Sequence, residues 1–566
     1  MGGRLTRWRT PAAYDTAVAV VLGLVIMGPL LLGRGFALVG DMVFVPDQPW
    51  KDLWLGADGS VPRAVPSDAV VWALTLAVPG DLVQKAVLVG IVVGGALGMA
   101  RFVEDAHPAA RTAAAVLYVW NPFVYERLAI GHWALLVGYA ALPWVARAAH
   151  RLGSGAGGWP ALAVPLAVAG WSSPTGGVLA VMVAVAVLLG RWRRAALALT
   201  LGLVLNLPWI VPGFVALSGP GDPFGVEAFA ARSDTSLGVL GSLLTFGGLW
   251  KESVHAPGRE ATVLALAALL LSIAGLLGLA VARQQDRHLR AALAGLGAVG
   301  LLLAAAPATE AGRAVVEVLV SDVPGGGLLR DSQKWVALLV LAVCWGLAHL
   351  LEEARRRVHG THAAWWGVAA ALLPVAVLPS LAWGANGVLE PVDYPESWSE
   401  ARAALEQAGS DEGRVLVLPF AVYRRYDWND DRAMLDPSPR FFPGELVVDD
   451  ALVVEEGTVA GEDPLAARIR EVADDRDALS ELLVDEGIGW VLVDDDAGVP
   501  VTIPPGRTVY DGASFRLVRV PGAPAEASAE RHWIVYAAGA TAVATMIGVF
   551  VTARRRPSPY SVSSGA

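Results

Sequence analysis

The chain has 566 residues, 55% of them hydrophobic and only 17% charged, with a mean hydropathy of +0.51. That balance excludes an ordinary soluble protein and describes a polytopic membrane protein. The formal charge of −10 is unevenly held: residues 391–530 carry 30 Asp and Glu against 12 Arg and no Lys, whereas the rest is net basic, so the acidic part is no nucleic-acid binder.

A spanning helix needs roughly 20 mostly apolar residues. Twelve stretches approach that length, at 14–33, 83–101, 111–125, 134–149, 160–173, 175–190, 195–217, 261–282, 289–306, 335–351, 363–385 and 531–552. The third and fifth are short. No small-residue cleavage site follows the first, which reads as a signal anchor. Short loops rich in Lys and Arg stay cytoplasmic. Alternating from Arg4, Arg7 and Arg9, the clusters Arg147 with Arg151, Arg191 to Arg194, Arg283 to Arg290, Arg355 to Arg357 and Arg554 to Arg556 all fall on that side. The expected fold is therefore an α-helical polytopic protein of a bacterial plasma membrane, with about 12 spans and both termini cytoplasmic. Residues 1–386 form the multi-span body, 387–530 an acidic extracytoplasmic α/β domain, 531–553 the final span and 554–566 a cytoplasmic tail. Within the acidic domain, Ser397 to Gly409 has helical periodicity, and Arg414 to Phe420, Trp490 to Asp495 and Phe515 to Val520 read as strands. The one cysteine, Cys344, excludes an intramolecular disulfide.

Three polar runs lie on the outer side. The first, Gly40 to Asp52, places Asp41 and Asp47 among prolines and tryptophans beside the bilayer, where partial desolvation would raise a carboxylate toward a general-base role. In the second, Asn121 to Trp133, an Asn-Pro pair ends or bends the helix and presents Glu126, Arg127 and His132. A guanidinium matches phosphate oxygens, and the alternative is a topological anchor with Glu126 and Arg127 paired. The third, Gly325 to Trp335, sets Arg330, Asp331 and Lys334 at the mouth of the tenth span as a headgroup clamp or a plain outer-loop pair. In the acidic domain Tyr423, Arg424, Arg425 and Trp428 combine rings and polar heads suited to sugars, and equally describe an exposed loop. No Walker loop, metal spacing or nucleophile elbow appears.

An acidic first outer loop after a signal anchor, a multi-span body and a C-terminal outer α/β domain together resemble the GT-C membrane glycosyltransferases. More narrowly, GDMVFVPDQPWKDLWLG and ARTAAAVLYVWNPFVYERLAIGHWALLVGYAALPW are similar in layout to the N-terminal half of actinobacterial arabinofuranosyltransferases of the AftD type. The resemblance implies a sugar donor on polyprenyl phosphate, an envelope glycan or lipid as acceptor, and inversion by a single displacement. It places the base on Asp41, with Asp47 second, and the leaving phosphate on Arg127, Arg330 or Lys334. No cofactor is indicated with certainty; a divalent cation beside the acid is an open alternative, used by some members. The chain is much shorter than that type and lacks its C-terminal carbohydrate-binding regions. Two other readings are a transporter or flippase of a lipid-linked precursor, disfavoured because the spans hold few ionisable residues, and a non-catalytic envelope-assembly protein.

Overall fold

The computed structural model describes residues 10–59, 63–216, 222–282, 287–357, 362–409, 413–454, 457–523 and 532–554. Arg4, Arg7, Arg9, Arg283, Arg555, Arg556, most of the 521–530 linker and the tail lie outside the described residues. The body opens with helices α1 (Thr10–Leu32), α2 (Ser67–Thr75), α3 (Gly80–Phe102), α4 (Pro108–Val119), α5 (Pro122–Ala129), α6 (Trp133–Ser154), α7 (Trp159–Ser172), α8 (Pro174–Leu188) and α9 (Trp192–Val215). It continues through α10 (Phe224–Ala228), α11 (Gly238–Leu244), α12 (Thr262–Val281), α13 (Arg287–Ala305), α14 (Glu310–Asp322), α15 (Val336–Arg357), α16 (His362–Val377) and α17 (Ala382–Ala385).

Among the described residues seven helical stretches are long and apolar enough to cross a bilayer, or eight if the pair 365–377 and 379–385, bent by 76°, is one span. One of the seven, Pro174–Val215, has 42 residues. Straight, it would reach about 63 Å, twice a bilayer core. It is a hairpin instead: α8 and α9 fold back at Leu189–Arg191, so that Val181 packs on Gly202 and Asn206 on Gly177. The helix expected over 111–125 breaks earlier. α4 stops at Val119, and Asn121 starts α5 by accepting the Val124 N–H at 3.1 Å, with Pro122 in the first turn, where its missing N–H costs nothing.

The helix ends are chemically sorted. At one end lie Asp15–Arg111 (3.1 Å), Glu104 with Arg147 (2.7 Å) and Arg151 (3.2 Å), and Glu352 accepting the His107 N–H (3.0 Å). At the other, Lys85 caps the Gly33 carbonyl at 3.0 Å, and the Arg127–Asp331 pair joins α5 to the mouth of α15.

The C-terminal part is a small α/β layer. It contains α18 (Glu396–Gln407), β1 (Arg414–Leu418), β2 (Tyr423–Arg424), β3 (Met434–Leu435), α19 (Ser438–Phe441), β4 (Glu445–Val447), β5 (Leu452–Val454) and β6 (Gly457–Val459). After these come α20 (Pro464–Val472), α21 (Arg476–Asp485), β7 (Ile488–Asp494), β8 (Arg507–Asp511) and β9 (Phe515–Arg519), and α22 (Trp533–Arg554) returns to pack on α7 and α9. The five-stranded sheet runs β4-β1-β7-β9-β8, with β4, β1 and β7 parallel and β9 antiparallel to both β7 and β8. β7 is buried at every residue, as its unbroken apolar run requires. The layer is laced to the body: Phe36 bridges Val392, Gly40 bridges Met434, and the Tyr394 hydroxyl donates to the Phe44 carbonyl at 3.1 Å.

Candidate active site

The loop after α1 reaches the α5–α6 turn because two glycines stand where they touch. Gly40 has φ +52° and Gly131 φ +85°. A Cβ on Gly40 would lie 2.0 Å from the Ile130 carbonyl oxygen, and one on Gly131 2.3 Å from the Met42 nitrogen. Without side chains there, the Asp41 N–H donates to Ile130 at 2.9 Å, and the Asp41 carboxylate comes to face His132.

The Asp41 Oδ2 lies 3.3 Å from His132 Nε2, and the Tyr423 hydroxyl donates to Oδ1. His132 Nδ1 is in turn 2.7 Å from an Arg127 Nη1. A guanidinium only donates, so Nδ1 must accept and the ring hydrogen sits on Nε2, aimed at Asp41. Burial pushes the Asp41 carboxyl up, but the bonds from His132 and Tyr423 outweigh it and hold Asp41 below the ordinary carboxylate range. The raised basicity expected for this acid is thus not what its surroundings produce. Its side chain remains 43% exposed, open to a substrate.

Arg127 is different: its side chain is 0% exposed and its donors are spent. It forks onto Asp331, with Nη2 2.9 Å from Oδ1, and gives Gln333 Oε1 bonds of 3.1 and 2.6 Å. Burial raises Asp331, yet Arg127 holds it at about 2. Gln333 Nε2 continues the chain to Glu126 Oε2 at 3.3 Å, which also accepts the Leu249 N–H at 3.1 Å. Glu126 is fully buried, and burial beside Asp234 pushes it well above the usual range. Asp234 itself, raised by burial but paired with Arg259, sits at about 2. Glu126 and Arg127 therefore form no pair with each other and offer nothing to a substrate directly; they build the floor beneath Asp41 and His132.

Other cations stand near Asp41 and Asp331. Lys251 Nζ stands 5.9 Å from the Tyr423 ring centroid; burial lowers it, and Asp41 is the nearby anion that opposes this. Arg330 pairs with Glu462 of the α/β layer at 3.0 Å, and Lys334 is buried within electrostatic reach of Asp331, Arg127 and Arg330. Asp47 lies apart, 65% exposed and 3.1 Å from Arg402. Tyr423 reaches the site because it follows β1, at the carboxyl end of the parallel strands, the edge where α/β sheets present functional groups. Its neighbours do not: Arg424 is buried on Asp436 at 3.0 Å, and Trp428 stacks on Tyr426 and packs with Tyr394 and Trp398, while Arg425 is exposed with a bond to the Asp431 carbonyl. Among the described residues no group of three or more His, Cys, Asp or Glu is placed to hold a metal ion.

Lys251, Asp234 and Arg259 carried no motif. The only signal was scarcity: the chain has four lysines, Lys51, Lys85, Lys251 and Lys334.

Residues 71–563 match the family described as alpha-(1->3)-arabinofuranosyltransferase, N-terminal GT-C domain. The chain belongs to this family. Over 263 residues it is 27% identical to an alpha-(1->3)-arabinofuranosyltransferase of Mycolicibacterium smegmatis, a match covering 42% of this chain and 18% of that protein. The fold is similar to the cryo-EM structure of arabinofuranosyltransferase AftD from Mycobacteria, with a TM-score of 0.57 and 18% identity over 91% of this chain and 40% of that one. A structure of a mutant form gives 0.55 and 17% over 90% and 41%. The chain thus spans well under half the length of the relatives it matches, and this GT-C-type membrane chain corresponds to a part of each.

Proposed function

We propose that the chain is a glycosyltransferase that moves an arabinofuranosyl residue from a polyprenyl-phosphate donor to a cell-envelope glycan at the extracytoplasmic face. The carrying observation is the open Asp41 carboxylate held by His132 Nε2 and the Tyr423 hydroxyl, with Lys251 beside it. The family supports the sugar, and the sorting of arginines to the far helix ends supports an even number of crossings with both termini cytoplasmic and the α/β layer outside.

Asp41, ionised at neutral pH, accepts the proton of an acceptor hydroxyl as its oxygen attacks the anomeric carbon. The bond from that carbon to the phosphate oxygen breaks with its electron pair going to the phosphate, so one displacement inverts the centre. Lys251 takes up the charge developing on the phosphate, assisted by Lys334 and by Arg330 once released from Glu462. His132, Arg127 and Asp331 are positioning residues for Asp41, and Glu126 supports Arg127 through Gln333.

The test is transfer from synthetic polyprenyl-phosphate sugars by the purified full chain in lipid nanodiscs. Arabinofuranose transferred in preference to mannose and glucose supports the proposal. Transfer of another sugar alone reassigns the donor, and no transfer from any donor, with folded protein present, rejects the enzyme.

A further inference from the structure

Away from the proposed site, an apolar cavity of about 670 Å³ opens between α3, α6 and α7. Its wall on α3 is made by Gly90 and Gly94, where an added Cβ would meet nothing within 4 Å, and its other walls are largely alanine and valine. Arg147 and Arg151 line one end. From Val137 to Arg151 along α6 the groove runs about 21 Å, half of the roughly 40–45 Å between the outer limits of the headgroup regions. It therefore has the length of one leaflet, with an apolar wall and a cationic end.

The charge at that end is unbalanced. Arg147 and Arg151 share one carboxylate, Glu104, at 2.7 and 3.2 Å. Their other contacts are carbonyls, of Arg101 to the Nε of Arg147 and of Ala156 to Nη2 of Arg151, which leave Nη1 of Arg147 and Nε of Arg151 unused among the described residues. Arg194, on the carbonyls of Leu152 and Gly153, adds a further positive charge nearby. Two guanidiniums with spare donors above a dry groove match a phosphate with a hydrocarbon tail. A second apolar cavity, of about 540 Å³ between α12, α13 and α15, lacks this feature: its single arginine, Arg290, bonds the carbonyls of Ala280 and Ala282.

We propose that the α3–α6–α7 groove binds an anionic glycerophospholipid, its phosphate on Arg151 and Arg147 and one acyl chain lying over Gly90 and Gly94. The site does not depend on the transferase reading, since its cationic end, at Arg147 and Arg151, lies at the opposite end of α6 from His132 and Asp41.

Native mass spectrometry of the full chain, released from micelles carrying equal amounts of dioleoylphosphatidylglycerol and dioleoylphosphatidylcholine, tests this. The wild type is expected to retain one phosphatidylglycerol in preference. Arg151→Gln should weaken that retention about fivefold, the contribution of one arginine at a membrane surface, with phosphatidylcholine unchanged. Gly94→Leu should displace it, because the new side chain enters open space in the groove without disturbing the helix. Arg193→Gln, outside the groove, should have no effect. Equal retention of both lipids by the wild type, wild-type retention by Gly94→Leu, or a loss in Arg193→Gln as large as in Arg151→Gln would overturn the site. Should Arg151→Gln fail to elute as a monodisperse species, Gly94→Leu decides alone.

Discussion

Arg127→Gln should unfold the floor of the site before it touches the chemistry. Arg127 holds Asp331, which burial alone would raise, at about 2 against the ordinary 3.8. At about 1.4 kcal/mol per pH unit this corresponds to roughly 2 kcal/mol of stability at neutral pH. The substitution also strands Gln333 Oε1 and His132 Nδ1, so the whole loss should approach the roughly 3–5 kcal/mol typical of breaking a buried pair. Because the folded pKa of Asp331 lies below its unfolded one, this contribution is complete above about pH 4 and disappears as pH falls through about 2. SDS unfolding in mixed micelles, followed by tryptophan fluorescence, should show a gap between wild type and variant that is widest at neutral pH and narrows as acidification protonates the unpaired Asp331 of the variant and then the paired one of the wild type. Arg127→Gln with Asp331→Asn should recover at least about 1 kcal/mol. A single variant within about 0.5 kcal/mol of wild type, or a double variant no better than the single, would refute the argument.

Three further outcomes concern the reaction. Tyr423→Phe removes a bond that stabilises the Asp41 carboxylate; its pKa should rise, and the acid limb of the kcat profile should move to higher pH with little change in KM. Lys251→Met should raise KM for the polyprenyl-phosphate donor and lower kcat by about tenfold or more, with partial return in Lys251→Arg, measured by initial rates. Asp47→Ala should leave transfer within about twofold of wild type, since an exposed pair with Arg402 contributes little; a loss of a hundredfold would move the base there.

Much of this arrangement was legible because polar residues beside apolar spans stand out. Asp41, His132 and Asp331 lie in three separate polar runs, and the structure joins them through His132 and Arg127. What was not legible was depth. Glu126 and Arg127 adjoin in sequence, but on α5 both turn inward, toward Gln333 and Asp331, so neither is free for a phosphate. Tyr423 read as a sugar platform and instead donates to Asp41, a contact that depends on how the α/β layer folds back over the first loop. The strands over 414–420, 490–495 and 515–520 were visible as apolar runs and correspond to β1, β7 and β9. β4 has only three residues and β8 is mostly exposed, so neither left an apolar signature. The paucity of ionisable residues within the spans and the open carboxylate beside Lys251 favour an enzyme over a carrier or a passive assembly protein.

The proposed base is Asp41. Transfer of radiolabelled arabinofuranose from a polyprenyl-phosphate donor by Asp41→Asn, compared with wild type in nanodiscs at pH 7, tests it most directly. The expected result is a fall of roughly 10²–10⁴-fold in kcat with donor binding retained. Transfer near the wild-type rate by a folded Asp41→Asn protein would contradict the assignment and, with it, the role given to His132 and Tyr423.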